Sequence, residues 1–226
     1  MAEIVELTDL TPAQFLAAHA APGRVGLAGG KELVSRLIRR AQRFMRPDFS
    51  PSLWSHAFLV SEQRRDGRQW VIESDLDIDP RHKTVRLGVQ ENRIEKYHDP
   101  ELHAHLAILD FGLDPAQTDA VIVEGLNLLA GHTVYSLREV IGTLFAMARP
   151  ARRARENLLS QEGSLYCSAM VHHCFRAAGI ALHRSSEKNT APEDLIRSPK
   201  LRSAWVLRGA DSRMDSTVAI RPGRVK

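Results

Sequence analysis

Ser55-His-Ala-Phe-Leu-Val-Ser61 and Gln69-Trp-Val-Ile-Glu73 are short apolar runs separated by Arg64-Arg65-Asp66-Gly67. Branched and aromatic residues in runs of this length, with an Asp-Gly turn signal between them, predict the two strands of an antiparallel hairpin. Each strand carries one residue foreign to its pattern. His56 shares a face with Phe58 and Val60, and Glu73 shares one with Val71, while Trp70 and Ile72 point to the other side. An imidazole or a carboxylate is costly to bury without a partner, so both residues ask for one.

Working outward, Val85, Leu87 and Val89 alternate as a third strand, and His105 to Phe111 reads as a fourth. On the N-terminal side, Thr11-Pro12 caps a helix to about Ala20, Arg24 to Leu27 is a short strand, and Gly29-Gly30 breaks it before a helix from Lys31 to about Phe44. In that helix Leu33, Val34, Leu37, Ile38 and Ala41 form an apolar stripe opposite Arg36, Arg39, Arg40 and Arg43. Asp114-Pro115 starts a further helix closed near Gly131, and Tyr135 to Ala148 predicts another. An arginine-rich connection, Arg149 to Gly163, leads to a helix from Leu165 to Ala178 ended by Gly179. A helical turn at Pro192 to Ile196 and a strand at Ala204 to Leu207 complete the pattern. Helices flanking a run of antiparallel strands predict an α+β domain over 23–209, with 1–22 as a helical extension and 210–226 as a flexible tail.

The 226 residues are 43% hydrophobic and 26% charged, which excludes a disordered or collagen-like chain. Two cysteines, Cys167 and Cys174, exclude a disulfide-stapled scaffold and leave little for a zinc-cysteine module. The net charge of +4 is mild and does not by itself mark a nucleic-acid binder. The longest apolar stretch, Val140 to Ala148, falls short of the roughly 18 residues that span a bilayer. The acidic start, Met1 to Asp9, lacks a signal-peptide pattern, so a soluble, cytoplasmic protein is expected.

Cys167 lies in Gly163-Ser-Leu-Tyr-Cys-Ser-Ala-Met-Val-His-His-Cys174, just inside a predicted helix start. Unpaired N–H groups and the positive end of the helix dipole favour a thiolate there and could hold an oxyanion. The plainer alternative is a small, buried, inert residue. Pairing with Cys174 is excluded by reach: seven helical residues span about 10.5 Å, beyond the roughly 7 Å limit between bridged Cα atoms. A cysteine nucleophile needs a base and a group to orient it, and His56 and Glu73 are the candidates. A two-residue Asp66-Gly67 turn would set Glu73 opposite Val60, about 13 Å from His56. A four-residue loop from Gln63 to Asp66 would set it opposite His56. Both hairpins are allowed.

Trp54-Ser-His-Ala-Phe-Leu-Val60, Val71-Ile-Glu73 and Tyr166-Cys-Ser168, in that order, resemble the permuted papain-like enzymes of the YaeF/YiiX group, relatives of the NlpC-type peptidases. In ordinary members the cysteine helix precedes the histidine strand; the permuted group reverses the order. The resemblance runs from about Gly23 to Leu207 and includes Pro192-Glu-Asp-Leu-Ile-Arg-Ser-Pro199. It implies a permuted papain-like catalytic domain with an antiparallel sheet packed on helices. It also implies Cys167 as nucleophile, His56 as base, Glu73 as orienting residue, and Tyr166, Ser168 and Trp54 as neighbours of the oxyanion or substrate. Departures include the long basic helix after Gly29-Gly30, and Met170 where such sequences often carry an acidic residue.

The expected activity is that of a cysteine-dependent amidase or peptidase on a small amide, peptide or cell-wall-derived substrate. Lipid acyl transfer of the lecithin:retinol-acyltransferase-like kind at an anionic membrane surface is a second reading, although those relatives use a histidine where this chain has Glu73. A binding module without turnover is a third. No cofactor, metal or nucleic acid is expected. His103-Ala-His105 would share a strand face but find no second pair at zinc spacing, and His172 and His173 diverge by about 100° on a helix.

Overall fold

The computed structural model describes residues 2–31, 33–79, 84–131, 167–183 and 190–209. Its elements are β1 (Glu3–Leu7), α1 (Pro12–His19), β2 (Val25–Gly30), α2 (Leu33–Ala41), a 3-10 turn (Gln42–Met45), β3 (His56–Gln63), β4 (Gln69–Asp79), β5 (Thr84–Arg93), a second 3-10 turn (Ile94–His98), β6 (His103–Asp110), α3 (Pro115–Ala130), α4 (Cys167–Ala177), α5 (Pro192–Ile196) and β7 (Ser203–Arg208). The strands form one seven-stranded sheet in the order β1-β7-β6-β2-β3-β4-β5. β1 runs parallel to β7, and the other neighbours are antiparallel. The architecture is α+β, as expected.

Local chemistry explains the helix starts. Thr11 and Asp114 each accept a hydrogen bond from the N–H three residues on, and Gln14 and Gln117 reach back to complete two capping boxes ahead of Pro12 and Pro115. Period-two alternation then feeds two cores. Leu27, Ala57, Leu59, Ile72 and Ala107 face α4, which supplies Ala169, Met170, Cys174 and Phe175. Phe58, Val60, Val71, Leu106 and Ile108 face Phe15 and Leu16 of α1 and Tyr97 of the second 3-10 turn. Gly26 makes room for this layer: a Cβ there would stand 2.0 Å from the Phe58 ring. Phe58 in turn stacks on Tyr97 at 4.2 Å between centroids.

The structure departs from the sequence reading in several places. Glu3–Leu7, within the expected helical extension, is a strand on the sheet edge. Gly29-Gly30 does not break β2 but continues it, pairing with His105 and His103 across a register shift. That shift turns His103 to the face of Tyr97, with ring centroids 4.9 Å apart, whereas His105 stays beside Gly29, so the two imidazoles do not share a face. The stripe of α2 is incomplete, because Leu37 is 49% exposed. Residues 135–163, Tyr166 and 210–226, for which a helix, a connection, a site neighbour and a tail were expected, lie outside the described residues. Among the described residues no helix is long and apolar enough to cross a membrane.

The hairpin adopts neither expected register. Gly67 takes a φ of +77°, and its N–H donates to the Arg64 carbonyl at 2.8 Å, while the Arg64 N–H donates to the Arg68 carbonyl at 2.9 Å. A further register shift lies between Val60 and Gln63. Leu59 consequently pairs with Ile72 and Val60 with Val71, halfway between the two registers considered. Glu73 follows across from Phe58 and reaches His56 on the diagonal, a span long side chains bridge.

Candidate active site

His56 is the first residue of β3 and pairs with Ala28 of β2. Ser55 fixes this corner: its N–H donates to the Ala28 carbonyl at 2.9 Å, and its hydroxyl accepts from the Gly30 N–H at 3.0 Å. His56 Nε2 meets Glu73 Oε2 at 2.6 Å, and the His56 side chain retains 19% exposure against none for Glu73. Cys167, at the first position of α4 and partly exposed, lies near the same imidazole and favours its charged form. The three residues singled out from the sequence therefore come together from β3, β4 and α4.

Glu73 is held by more than His56. Tyr97 donates its hydroxyl to Oε2, while Asn92 Nδ2 at 2.7 Å and Lys96 Nζ at 2.8 Å donate to Oε1. Lys96 also reaches Asp75 Oδ2 at 2.7 Å. Burial would raise the Glu73 pKa, but the hydrogen bond and charge of His56 and the Lys96 ammonium outweigh it and hold the carboxyl well below its ordinary range. Burial would likewise lower the His56 pKa. The Asp75 charge and the Cys167 sulfur near the ring, with the Glu73 hydrogen bond, hold it well above the ordinary value instead. Tyr97 is raised by burial and by the Glu73 and Asp75 charges, so it stays a phenol and a donor. His103 is lowered by burial and by the His56 and Lys96 charges.

The other expected neighbours are committed elsewhere. Ser168 is buried and donates its hydroxyl to the Thr190 carbonyl at 2.7 Å, which ties α4 to the segment before α5. Trp54 packs in the core at 1% exposure, and its carbonyl accepts from Gln42 Nε2 at 2.7 Å. Both side chains hold the scaffold rather than line the site. Cys174 is wholly buried, as expected of packing. Asn92, Asp75, Lys96 and Tyr97 were not foreseen, and His103 was considered only as a metal ligand. Asp75 alone had a local signal, since two residues along a strand return to the same face as Glu73.

His56, Glu73 and Asp75 offer donor atoms that lie within 4.8 Å of one another. The cation on these carboxylates is the protein's own, since Lys96 bridges Glu73 and Asp75 and the Glu73 oxygens already accept from four donors. The histidines weighed as metal ligands are dispersed: His172 is hydrogen-bonded to Thr190 Oγ1 at 2.7 Å, and His173 lies 2.9 Å from Glu124.

No protein-family model matches the chain, and no curated protein matches it. Among solved structures it is similar to the metalloprotein YiiX of Escherichia coli O157:H7, with 14% identity and a TM-score of 0.43 over 81% of this chain and 95% of that one. The chemistry of the site rests on its own residues.

Proposed function

We propose that the chain is a thiol hydrolase with a permuted papain-like arrangement, cleaving an amide or ester bond through Cys167, His56 and Glu73. The observation that carries this reading is a single imidazole hydrogen-bonded through Nε2 to a buried carboxylate, with a helix-start cysteine beside the same ring. With Nε2 engaged, Nδ1 is the ring nitrogen left for sulfur. It takes the thiol proton, and the thiolate attacks the substrate carbonyl carbon. The carbonyl becomes an oxyanion, held by N–H groups unpaired at the start of α4. Collapse breaks the bond to the amine or alcohol, which leaves with the proton from the imidazolium. Water then gives a proton to Nδ1 and attacks the thioester, and the acid departs as the proton returns to sulfur. Glu73 stays a carboxylate throughout, keeping the proton of Nε2 in place and the ring in one orientation. Small amides, peptides or cell-wall fragments are the proposed substrates.

The test uses p-nitrophenyl acetate. Mass spectrometry of quenched protein should find one acetyl group on Cys167 that decays with time, and Cys167→Ala should abolish both the adduct and sustained nitrophenolate release. Release that survives unchanged in Cys167→Ala would refute the reading. A second reading, acyl chemistry at an anionic lipid surface, is favoured by exposed Leu37 and Phe49 on a segment that also exposes Arg36, Arg40 and Arg43.

A further inference from the structure

We propose that Asp75 and Lys96 are a pair of opposed positioning residues that set the charge of His56, Asp75 favouring the imidazolium and Lys96 limiting it. This deepens, and rests on, the assignment of His56 as the base for Cys167. Carried on along β4, the Leu59–Ile72 and Val60–Val71 register sets Asp75 across from His56, the first residue of β3. It stands two residues from Glu73 on the same face, near the imidazole rather than beneath a neighbouring strand.

Distances then describe a chain of alternating charge. His56 Nε2 is 2.6 Å from one Glu73 oxygen, and the other is 2.8 Å from Lys96 Nζ, which is 2.7 Å from Asp75 Oδ2. Donor atoms of His56, Glu73 and Asp75 all fall within 4.8 Å of one another. At such separations each charge shifts its neighbours' titration appreciably. Two carboxylates alone would make the imidazolium a reluctant proton donor, whereas Glu73 with Lys96 and without Asp75 would leave it a weak base. Together the three groups present the ring with a net single negative charge.

The groups facing His56 are Glu73 and Asp75 of β4, Lys96 and Tyr97 of the 3-10 turn, His103 of β6 and Cys167 of α4. Tyr97 and His103 remain neutral, which leaves Glu73, Asp75 and Lys96 as the charged influences besides the Cys167 sulfur. Asp75 is the foremost of those that raise the His56 pKa against the effect of burial.

The test is an NMR titration of the His56 ring in histidine-labelled full-length protein. Asp75→Asn should move its midpoint down by about one pH unit and Lys96→Met should move it up by a similar amount. The double variant should fall between them, and Lys96→Arg should titrate like the wild type. Lys96→Gln removes the same charge if Lys96→Met fails to fold. Shifts of the same sign, or no shift in either single variant, would overturn the proposal. Cys167→Ser separates the two readings: if it leaves the His56 midpoint unmoved, the thiol assignment fails while opposed Asp75 and Lys96 shifts still uphold the pair. If it lowers the midpoint while neither charge variant shifts it, the pair fails and the thiol assignment stands.

Discussion

Glu73 and Glu193 are both buried carboxylates hydrogen-bonded to a cation, yet their surroundings push them in opposite directions. Glu73 is fully buried and accepts from His56, Tyr97, Asn92 and Lys96. Glu193, 2% exposed on α5, accepts from Arg46 at 3.1 Å and from the Ser52 hydroxyl at 2.7 Å. Arg46 is shared with Asp48, whose pKa the Arg46 hydrogen bond draws down to about 2. Burial dominates at Glu193 and raises its pKa, with the neighbouring Asp194 adding to the rise against Arg46 and Ser52. The Glu193 N–H also donates to Gln42, whose amide donates to the Trp54 carbonyl two residues before His56. One carboxylate polarises a ring, whereas the other latches the segment after the cysteine helix to the segment before the histidine strand. Burial and a salt bridge do not distinguish these roles; the count and ownership of the donors do.

The sharpest way to break this contrast is to neutralise each carboxylate. Glu73→Gln should lower turnover of an acyl reporter by about 10²–10⁴-fold in folded protein, the range for loss of general acid–base organisation. Glu193→Gln, which removes a charge that burial disfavours and keeps an acceptor for the Ser52 hydroxyl, should leave turnover within a few-fold. Equal losses of turnover in folded protein would erase the distinction. Next in size is a packing change beneath the site. Gly26→Ala would drive a methyl into Phe58 and so disturb Tyr97, with an expected cost of about 1–3 kcal/mol, read from the unfolding midpoint.

Acid titration sharpens the comparison through its sign. Glu73 is lowered from an ordinary 4.5, so its contribution is present above that value and is lost as pH falls below it. Glu193 is raised, so its folded form binds a proton more readily than the unfolded chain. Its contribution is present below the ordinary 4.5 and is lost as pH rises through the raised folded value. The difference in Tm between the wild type and each Gln variant, measured against pH, should show these opposite slopes. The smallest effect concerns α2: neutralising Arg36, Arg40 and Arg43 together should reduce co-sedimentation with anionic vesicles if lipid is the substrate, and added salt should do the same.

Much of the scaffold was legible because capping boxes, period-two strands and a glycine after a helix are local signals. The Glu3–Leu7 strand was not, since its partner β7 lies some 200 residues away and a parallel edge pair leaves little mark in sequence. His56, Glu73 and Cys167 stood out because two interrupt apolar strands and one begins a helix. The register that joins them was not readable, because the three-residue loop and the bulge each shift pairing by a step. Lys96, Tyr97 and Asn92 were missed for a related reason: what places them on Glu73 is the β4–β5 pairing and the turn that follows it, and nothing local to those residues announces it.

If His56 activates Cys167, removing the imidazole slows the reaction of the sulfur. Carboxamidomethylation with iodoacetamide at neutral pH, followed by peptide mapping, reads it directly. Cys167 should react faster than buried Cys174, but exposure alone would produce that ranking, so the deciding comparison is with His56→Ala. A fall of about tenfold or more in the Cys167 rate in folded His56→Ala is the expected result. An unchanged rate would contradict the account.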